Sequence, residues 1–254
     1  MRIAFVSDSI YPYNKGGKET RSYDLAVNLA KNHEVHFYTM KFWEGEDVIE
    51  KDGFYLHGVC KEYPLYINKR RSIKQGLVFG LSCFKIIGEE FDVLDADHMV
   101  YFHLFACRLA CWLKRRKMVV TWNEVWGWKY WKEYLGWKGF IGYVLEKVCS
   151  KLPDRIISIS EHTSKNLVEF GVDKKKIFTI DNSVDVSCIK GVKASKEKSD
   201  VIFAGRFLSH KNVDVLIKAV KDKKIKCVIV GDGEERENLE KFRFPCTRSV
   251  SHRI

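Results

Sequence analysis

The sequence predicts an α/β fold of two doubly wound units, the second incomplete. Short apolar runs alternate with amphipathic helical stretches as far as Ile180, a pattern that lays mainly parallel strands side by side under crossover helices. A polar, lysine-rich stretch over residues 182–199 has no sustained period and reads as a linker. Beyond it the strand-helix alternation restarts. The expected organisation is an N-terminal domain over 1–183, a linker over 184–199 and a partial C-terminal domain over 200–254.

The elements follow in order from their apolar periods. Residues 2–7 read as an apolar strand, 18–31 as a helix with Tyr23, Ala26, Val27 and Ala30 on one face, and 34–39 as a second strand. A strand over 54–60, a helix over 72–87, a strand over 92–96, a helix over 100–113 and a strand over 118–122 come next. A helix over 139–150 precedes the strand 155–159. Ser160 caps a helix over 161–170 that Gly171 ends, and 177–180 is the strand before the linker. After the linker, 201–204 reads as a buried strand, and 212–220 as a helix with Val213, Leu216, Ile217 and Val220 at helical spacing. Residues 226–230 form a strand, and a helix begins near Glu234 after the turn Gly231-Asp232-Gly233. From about Phe242 the helical pattern is lost, and Pro245 breaks any continuation. Two βα units cannot cover both faces of a sheet, so the second domain is either truncated, completed by another chain or only partly stable, and truncation is the expectation.

Charge narrows the partners. The 254 residues carry 44 Lys and Arg against 33 Asp and Glu, a net +11, which calls for an anionic partner: a nucleotide, a phosphorylated substrate, a lipid head group or a nucleic acid. The apolar run at the start is too short for a signal peptide and none is long enough to span a bilayer, so a cytoplasmic location is expected. The eight cysteines include no CxxC pair. They read as reduced, packed thiols, Cys107 and Cys111 included, although those two stand one helical turn apart.

Three stretches carry candidate chemistry. Gly205, Arg206, Ser209, His210 and Lys211 form a turn between a strand and a helix, where open α/β sheets bind ligands. Arg206 and Lys211 beside a helix N-terminus can hold a diphosphate; the alternative is a solvated turn. Gly16 and Gly17 precede the first helix and let the backbone approach an anion or a sugar, though a plain tight turn explains them equally. The spacings of the dinucleotide fingerprint and of the phosphate loop are absent there. Asp95-Ala96-Asp97-His98 could hold a divalent cation on a nucleotide sugar, but that reading needs a single-domain arrangement, and the restart after Ser199 argues against it. His98 and His103 are expected to line a cleft or to be structural.

The motifs YPYNKGGKET, DADH, TWNEVWG, ISEHTSKNLVEFGV, IDNSVD, FAGRFLSHKN and VGDGEE stand in an order that resembles family 4 retaining glycosyltransferases of the GT-B fold, up to about Lys241. The resemblance implies two Rossmann-like domains, an acceptor-side one and a nucleotide-sugar-binding one, with a donor such as a UDP- or GDP-sugar between them. Arg206 and Lys211 would hold the diphosphate and stabilise the leaving oxygen without a metal or other cofactor. The acceptor would be a glycan, a lipid-linked sugar or a small molecule. Candidate catalytic residues are Arg206, Lys211 and Asn123. Candidate substrate-binding residues are Gly16, Gly17, Lys18, Asp97, His98, Glu124, Ser160 and Glu161, with Gly205, Gly231 and Gly233 on the donor side. The sequence departs from the family's pattern twice. Asn123 stands where family members commonly carry a His, and the family's pair of glutamates seven residues apart should lie beyond Lys241 and is missing, so impaired turnover is expected.

A second signal concerns surfaces. Trp122, Trp126, Trp128, Trp131 and Trp137 interleave with Lys129, Lys132 and Lys138. Most are expected to pack the segment onto its domain, yet the combination also suits sugar stacking or an anionic membrane surface, together with the basic runs 114–117 and 174–176. The latter would make the chain peripheral on the inner face of the membrane. Single-stranded nucleic acid would suit the same composition, but no nucleic-acid fold pattern accompanies it.

Overall fold

The computed structural model describes residues 1–67, 70–184, 186–193, 198–242 and 246–247, with backbone alone at 187, 188, 246 and 247. The chain divides into two compact units, Met1–Val184 and Asp185–Ile254.

The first unit runs β1 (Arg2–Val6), α1 (Gly17–Ala30), β2 (Glu34–Lys41), β3 (Val48–Lys51), β4 (Phe54–Lys61), β5 (Tyr66–Ile67) and β6 (Arg70–Arg71). It continues α2 (Ile73–Ser82), β7 (Val93–Asp97), α3 (Phe102–Leu113), β8 (Lys117–Trp122), α4 (Gly127–Leu135), α5 (Gly139–Cys149), β9 (Arg155–Ser158), α6 (Glu161–Glu169) and β10 (Ile177–Thr179). Eight strands join in the order β10-β9-β8-β7-β1-β2-β4-β3, parallel throughout except for β3 against β4. β5 and β6 form a separate small hairpin.

Both faces of the central strands are buried, which is why they are apolar runs rather than alternating ones. Ile3, Phe5, Val35, Phe37, Phe54 and Leu56 pack beneath α1 through Ala26. On the opposite face Ala4, Val6, Leu94, Ala96, Met118 and Val120 share a core with α2, α3, α4, α5 and α6. β1 has β2 on one side and β7 on the other, and the chain winds outward in opposite directions from this pair. The carboxyl ends of β1 and β7 therefore flank a topological switch point, where sheets of this type open a crevice.

The second unit holds α7 (Val186–Gly191), β11 (Val201–Ala204), α8 (Val213–Val220), β12 (Cys227–Val230), α9 (Arg236–Glu240) and β13 (Cys246–Thr247), its strands parallel in the order β11-β12-β13. Phe207, Val213, Ile217, Val220, Cys227, Ile229 and Leu239 form its core.

Several elements differ from expectation. The helix expected over 72–87 is α2 followed by a 3-10 stretch, Cys83–Gly88. α4 falls in a segment with no predicted element, and α7 within the expected linker. The strand at 201–204 is not buried: Ile202 and Ala204 are exposed, because helices cover only the other face of its sheet among the described residues. Cys246–Thr247 pairs with β12 inside the tail that had no pattern, since a two-residue strand is too short to show a period. Pro245, most of that tail and residues 194–197 of the expected linker lie outside the described residues. Cys60, Cys83, Cys107, Cys111, Cys149 and Cys227 are free thiols, and Cys107 and Cys111 are buried in the core.

Candidate functional site

At the switch point of the first unit the structure builds a buried charge cluster. Asp8 follows β1, Lys18 stands in the first turn of α1, Asp97 ends β7, and Arg71 comes from the β5-β6 hairpin. Lys18 Nζ lies 2.7 Å from Asp8 Oδ1 and 2.6 Å from Asp97 Oδ2, and Arg71 Nη2 lies 2.5 Å from Asp8 Oδ2. Gln75 Nε2 donates to Asp8 Oδ2 at 3.0 Å. Asp97 further accepts from Ser7 Oγ at 3.3 Å, Met99 N at 3.2 Å and Asn123 Nδ2 at 3.3 Å. Two carboxylates and two cations thus balance in a site largely closed to water.

The environment sets the protonation states. Burial opposes charge on Asp97 and Asp8, but Lys18 beside both, with Arg71 also at Asp8, outweighs it and holds the two carboxyls below their usual range. Burial likewise opposes the Lys18 charge, and the two aspartates overcome it and raise the ammonium's pKa. Asp95 is the counter-case. Burial pushes it up to about 7, against the pull of Arg21 and a hydrogen bond from Thr121 Oγ1 at 3.2 Å. Lys18, Arg21, Asp95, Asp97, Thr121 and Asn123 line a cavity of only about 10 Å³, space for about one water.

Lys18, Asp97 and His98, expected to meet substrate, therefore sit inside the unit. Asp97 does not cap α3, which Tyr101 precedes with no side-chain cap; it serves Lys18 instead. His98 is buried, its ring stacked on Trp122 at 5.0 Å, with Nδ1 3.3 Å from Asp97 Oδ1 and Nε2 without a partner among the described residues. His103 is also buried, its Nε2 2.7 Å from the Asp97 carbonyl oxygen, and burial lowers its pKa to about 4. Among the described residues no group of three or more His, Cys, Asp or Glu is placed to hold a metal.

Other candidates surround this core. Gly16 is the extended residue before α1, and the carboxylate of Glu19, which accepts from Ser9 Oγ at 2.7 Å, folds back over it; Gly17 is exposed. Asn123 is half-buried, its carbonyl accepting from Thr163 Oγ1 at 3.1 Å. Glu124 is exposed and accepts from Trp126 Nε1 at 2.8 Å. Ser160 caps α6, its Oγ accepting from Thr163 N at 3.1 Å, and Glu161 is exposed in the first turn of that helix. Asp8, Arg71 and Gln75 were not singled out from sequence, and Asp95 only as a possible cation ligand beside Asp97. Arg71 reaches Asp8 from 63 positions further along the chain, so only Asp8, lying in the loop after β1, left a local signal.

In the second unit, two βα turns interlock. Phe207 N donates to the Asp232 carbonyl at 2.9 Å, Glu235 N to the Phe207 carbonyl at 3.1 Å, and Gly205 N to the Val230 carbonyl at 3.0 Å. Glycine is required at 231 and 233 for this approach. A Cβ on Gly231 would stand 2.6 Å from the Phe207 ring and nearer still to the Gly205 carbonyl oxygen, and one on Gly233, at φ +154°, 2.6 Å from the Phe207 carbonyl oxygen. With Phe207 buried between the turns, Arg206 and Lys211 on either side of it are exposed, and neither pairs with a carboxylate among the described residues. Ser209–Lys211 is a 3-10 turn that leads through Asn212, in the left-handed region at φ 51°, into α8.

Two Rossmann-like units, with a switch-point crevice in the first and a cationic βα turn in the second, define a glycosyltransferase fold of the GT-B type. Residues 15–187 match Glycosyltransferase Family 4 and residues 189–243 match Glycosyl transferases group 1; the chain belongs to glycosyltransferase family 4. A 94-residue stretch is 30% identical to an uncharacterized 41.2 kDa protein in the cps region of Klebsiella pneumoniae, covering 34% of this chain and about a quarter (26%) of that protein. Among solved structures, sucrose-phosphate synthase from Thermosynechococcus elongatus matches with a TM-score of 0.71 at 15% identity, over 98% of this chain and 70% of that one. Anabaena Alr3699/HepE in complex with UDP-glucose matches with a TM-score of 0.66 at 16% identity, over 99% of this chain and 70% of that one. At such identities the likeness is one of fold.

Proposed function

We propose that the chain transfers a sugar, with retention, from a nucleotide-sugar to a glycosyl acceptor. Arg206 and Lys211 take the donor diphosphate, and the observation that carries this reading is their exposure on either side of the buried Phe207. Cations carried on this turn would stabilise charge as it develops on the leaving phosphate. They take the role a divalent metal fills elsewhere, so turnover is expected to survive chelation. The UDP-glucose complex of the Anabaena protein supports a uridine donor. On the acceptor side, the strand ends near Gly16, Gly17, Asn123 and Glu124 offer amides and polar side chains to sugar hydroxyls, with the Lys18-Asp97 pair behind them as scaffold. Asn123 can hydrogen-bond a sugar but cannot shuttle a proton.

The test is titration calorimetry with UDP and GDP on wild type, Arg206→Ala and Lys211→Ala. Each substitution should weaken binding by about 1.5–3 kcal/mol, the usual strength of a hydrogen bond to a charged group. Wild-type binding that neither substitution disturbs would refute the assignment, as would no binding of either nucleotide.

A further inference from the structure

The outward side of the helical layer on the first unit carries a second apolar stripe. A helix packed on a sheet normally turns polar residues outward. α5 instead presents Phe140, Ile141, Val144 and Val148 at helical spacing, preceded by Trp137; Trp137, Ile141 and Phe140 are 80%, 68% and 60% exposed. Trp128 of α4 extends the stripe, its ring 6.4 Å from Phe140 and 6.1 Å from Tyr143. α3, whose Arg108 Nη1 donates at 3.3 Å to the carbonyl of Leu152 in the turn after α5, adds exposed Trp112 and Leu113. This exceeds the scattered apolar exposure of an ordinary surface and marks an interaction face.

Charge identifies the occupant. Between Phe102 and Leu152 the sequence has ten Lys and Arg against three Asp and Glu, and one of the three, Glu146, is buried. Lysine sits within the patch: Lys129 follows Trp128, and Lys138 lies between Trp137 and Phe140 with its ammonium 5.9 Å from the Trp137 ring. Protein interfaces deplete lysine at their centre. A bilayer surface favours the mixture, with indoles at head-group level, aliphatic side chains below them and ammonium groups against lipid phosphates. We infer that this face docks on an anionic lipid bilayer, which would hold the enzyme at a membrane-borne acceptor. The inference stands independently of the donor assignment, because it uses no residue of the second unit.

Co-sedimentation of the full chain with vesicles of phosphatidylcholine, alone or with a one-quarter share of phosphatidylglycerol, tests it. The chain should pellet with the anionic vesicles only, and release as salt rises. Trp137→Ala with Ile141→Ser should cut binding at least tenfold. Replacing Lys129, Lys132 and Lys138 by Gln should cut it on the order of a hundredfold, at about fivefold per lysine. Circular dichroism melts confirm that each variant folds; if the apolar variant does not, the lysine variant alone decides. Equal binding to both vesicles, binding to neither, or a dimer in solution that Ile141→Ser dissociates would overturn the inference.

Discussion

Replacing Lys18 by methionine removes the ammonium that bridges Asp8 and Asp97. The bridge spans 2.7 and 2.6 Å, with the Lys18 side chain 17% exposed and those of Asp8 and Asp97 0% and 5%. Arg71 still neutralises Asp8 in the variant, whereas Asp97 is left with hydrogen bonds from Ser7, Met99 and Asn123 and the His98 ring, its Nδ1 3.3 Å from Asp97 Oδ1, and with no lysine or arginine beside it among the described residues. Removing one partner of a buried pair costs about 3–5 kcal/mol, a large part of the roughly 5–15 kcal/mol that holds a domain together. Urea unfolding at pH 7 followed by tryptophan fluorescence measures it, and all seven tryptophans lie in the first unit, so the signal belongs to that unit alone. In wild type the two lowered carboxyls contribute stability that is present above the unfolded pKa near 4 and lost as pH falls. Without Lys18, burial dominates and raises Asp97, so the variant gains from protonation and its deficit should shrink between pH 7 and pH 5. A loss under about 1 kcal/mol, well below that expected for a broken buried pair, would refute the reasoning, and so would a deficit that widens on acidification.

Asp95 should behave with the opposite sign. Its carboxyl is pushed up to about 7, so its contribution is fully present below its unfolded pKa and fades as pH rises through 7; the melting temperature of Asp95→Asn minus that of wild type should rise between pH 5 and pH 8, and a flat difference in calorimetry would exclude this. Gly231→Ala should force the interlocked turns of the second unit apart, since the nearest atom is backbone. A cost of about 1–3 kcal/mol is expected, read as faster amide exchange in β11 and β12, and unchanged protection would contradict it.

The alternating strands and helices of the first unit were legible because each central strand is buried on both faces and each helix lays one stripe on the sheet. The two turns of the second unit were legible through Gly205, Gly231 and Gly233, and at 231 and 233 only glycine lets the two backbones meet. What stayed hidden depends on distant partners. Arg71 is one basic residue among many until the β5-β6 hairpin brings it to Asp8. Lys18 looks like a free cation next to Gly17, and only the fold shows it held between two carboxylates. The five tryptophans from 122 to 137 are indistinguishable in sequence, yet Trp122 and Trp131 are buried while Trp128 and Trp137 face outward. α4 escaped notice because it lacks a start signal: Trp126 precedes it with no side-chain cap.

That missing signal is supplied from elsewhere. Glu146, buried on α5, accepts from Trp126 N at 2.9 Å, Gly127 N at 3.0 Å and Trp131 Nε1 at 2.8 Å, so the cap of α4 is a carboxylate that arrives 19 and 20 positions later. Nine residues are too few for a helix to persist alone in water. α4 therefore has no separate melting event: it forms when α5 forms and frays when α5 frays. The two helices behave as one cooperative hairpin, and their amides should exchange with a common free energy of opening.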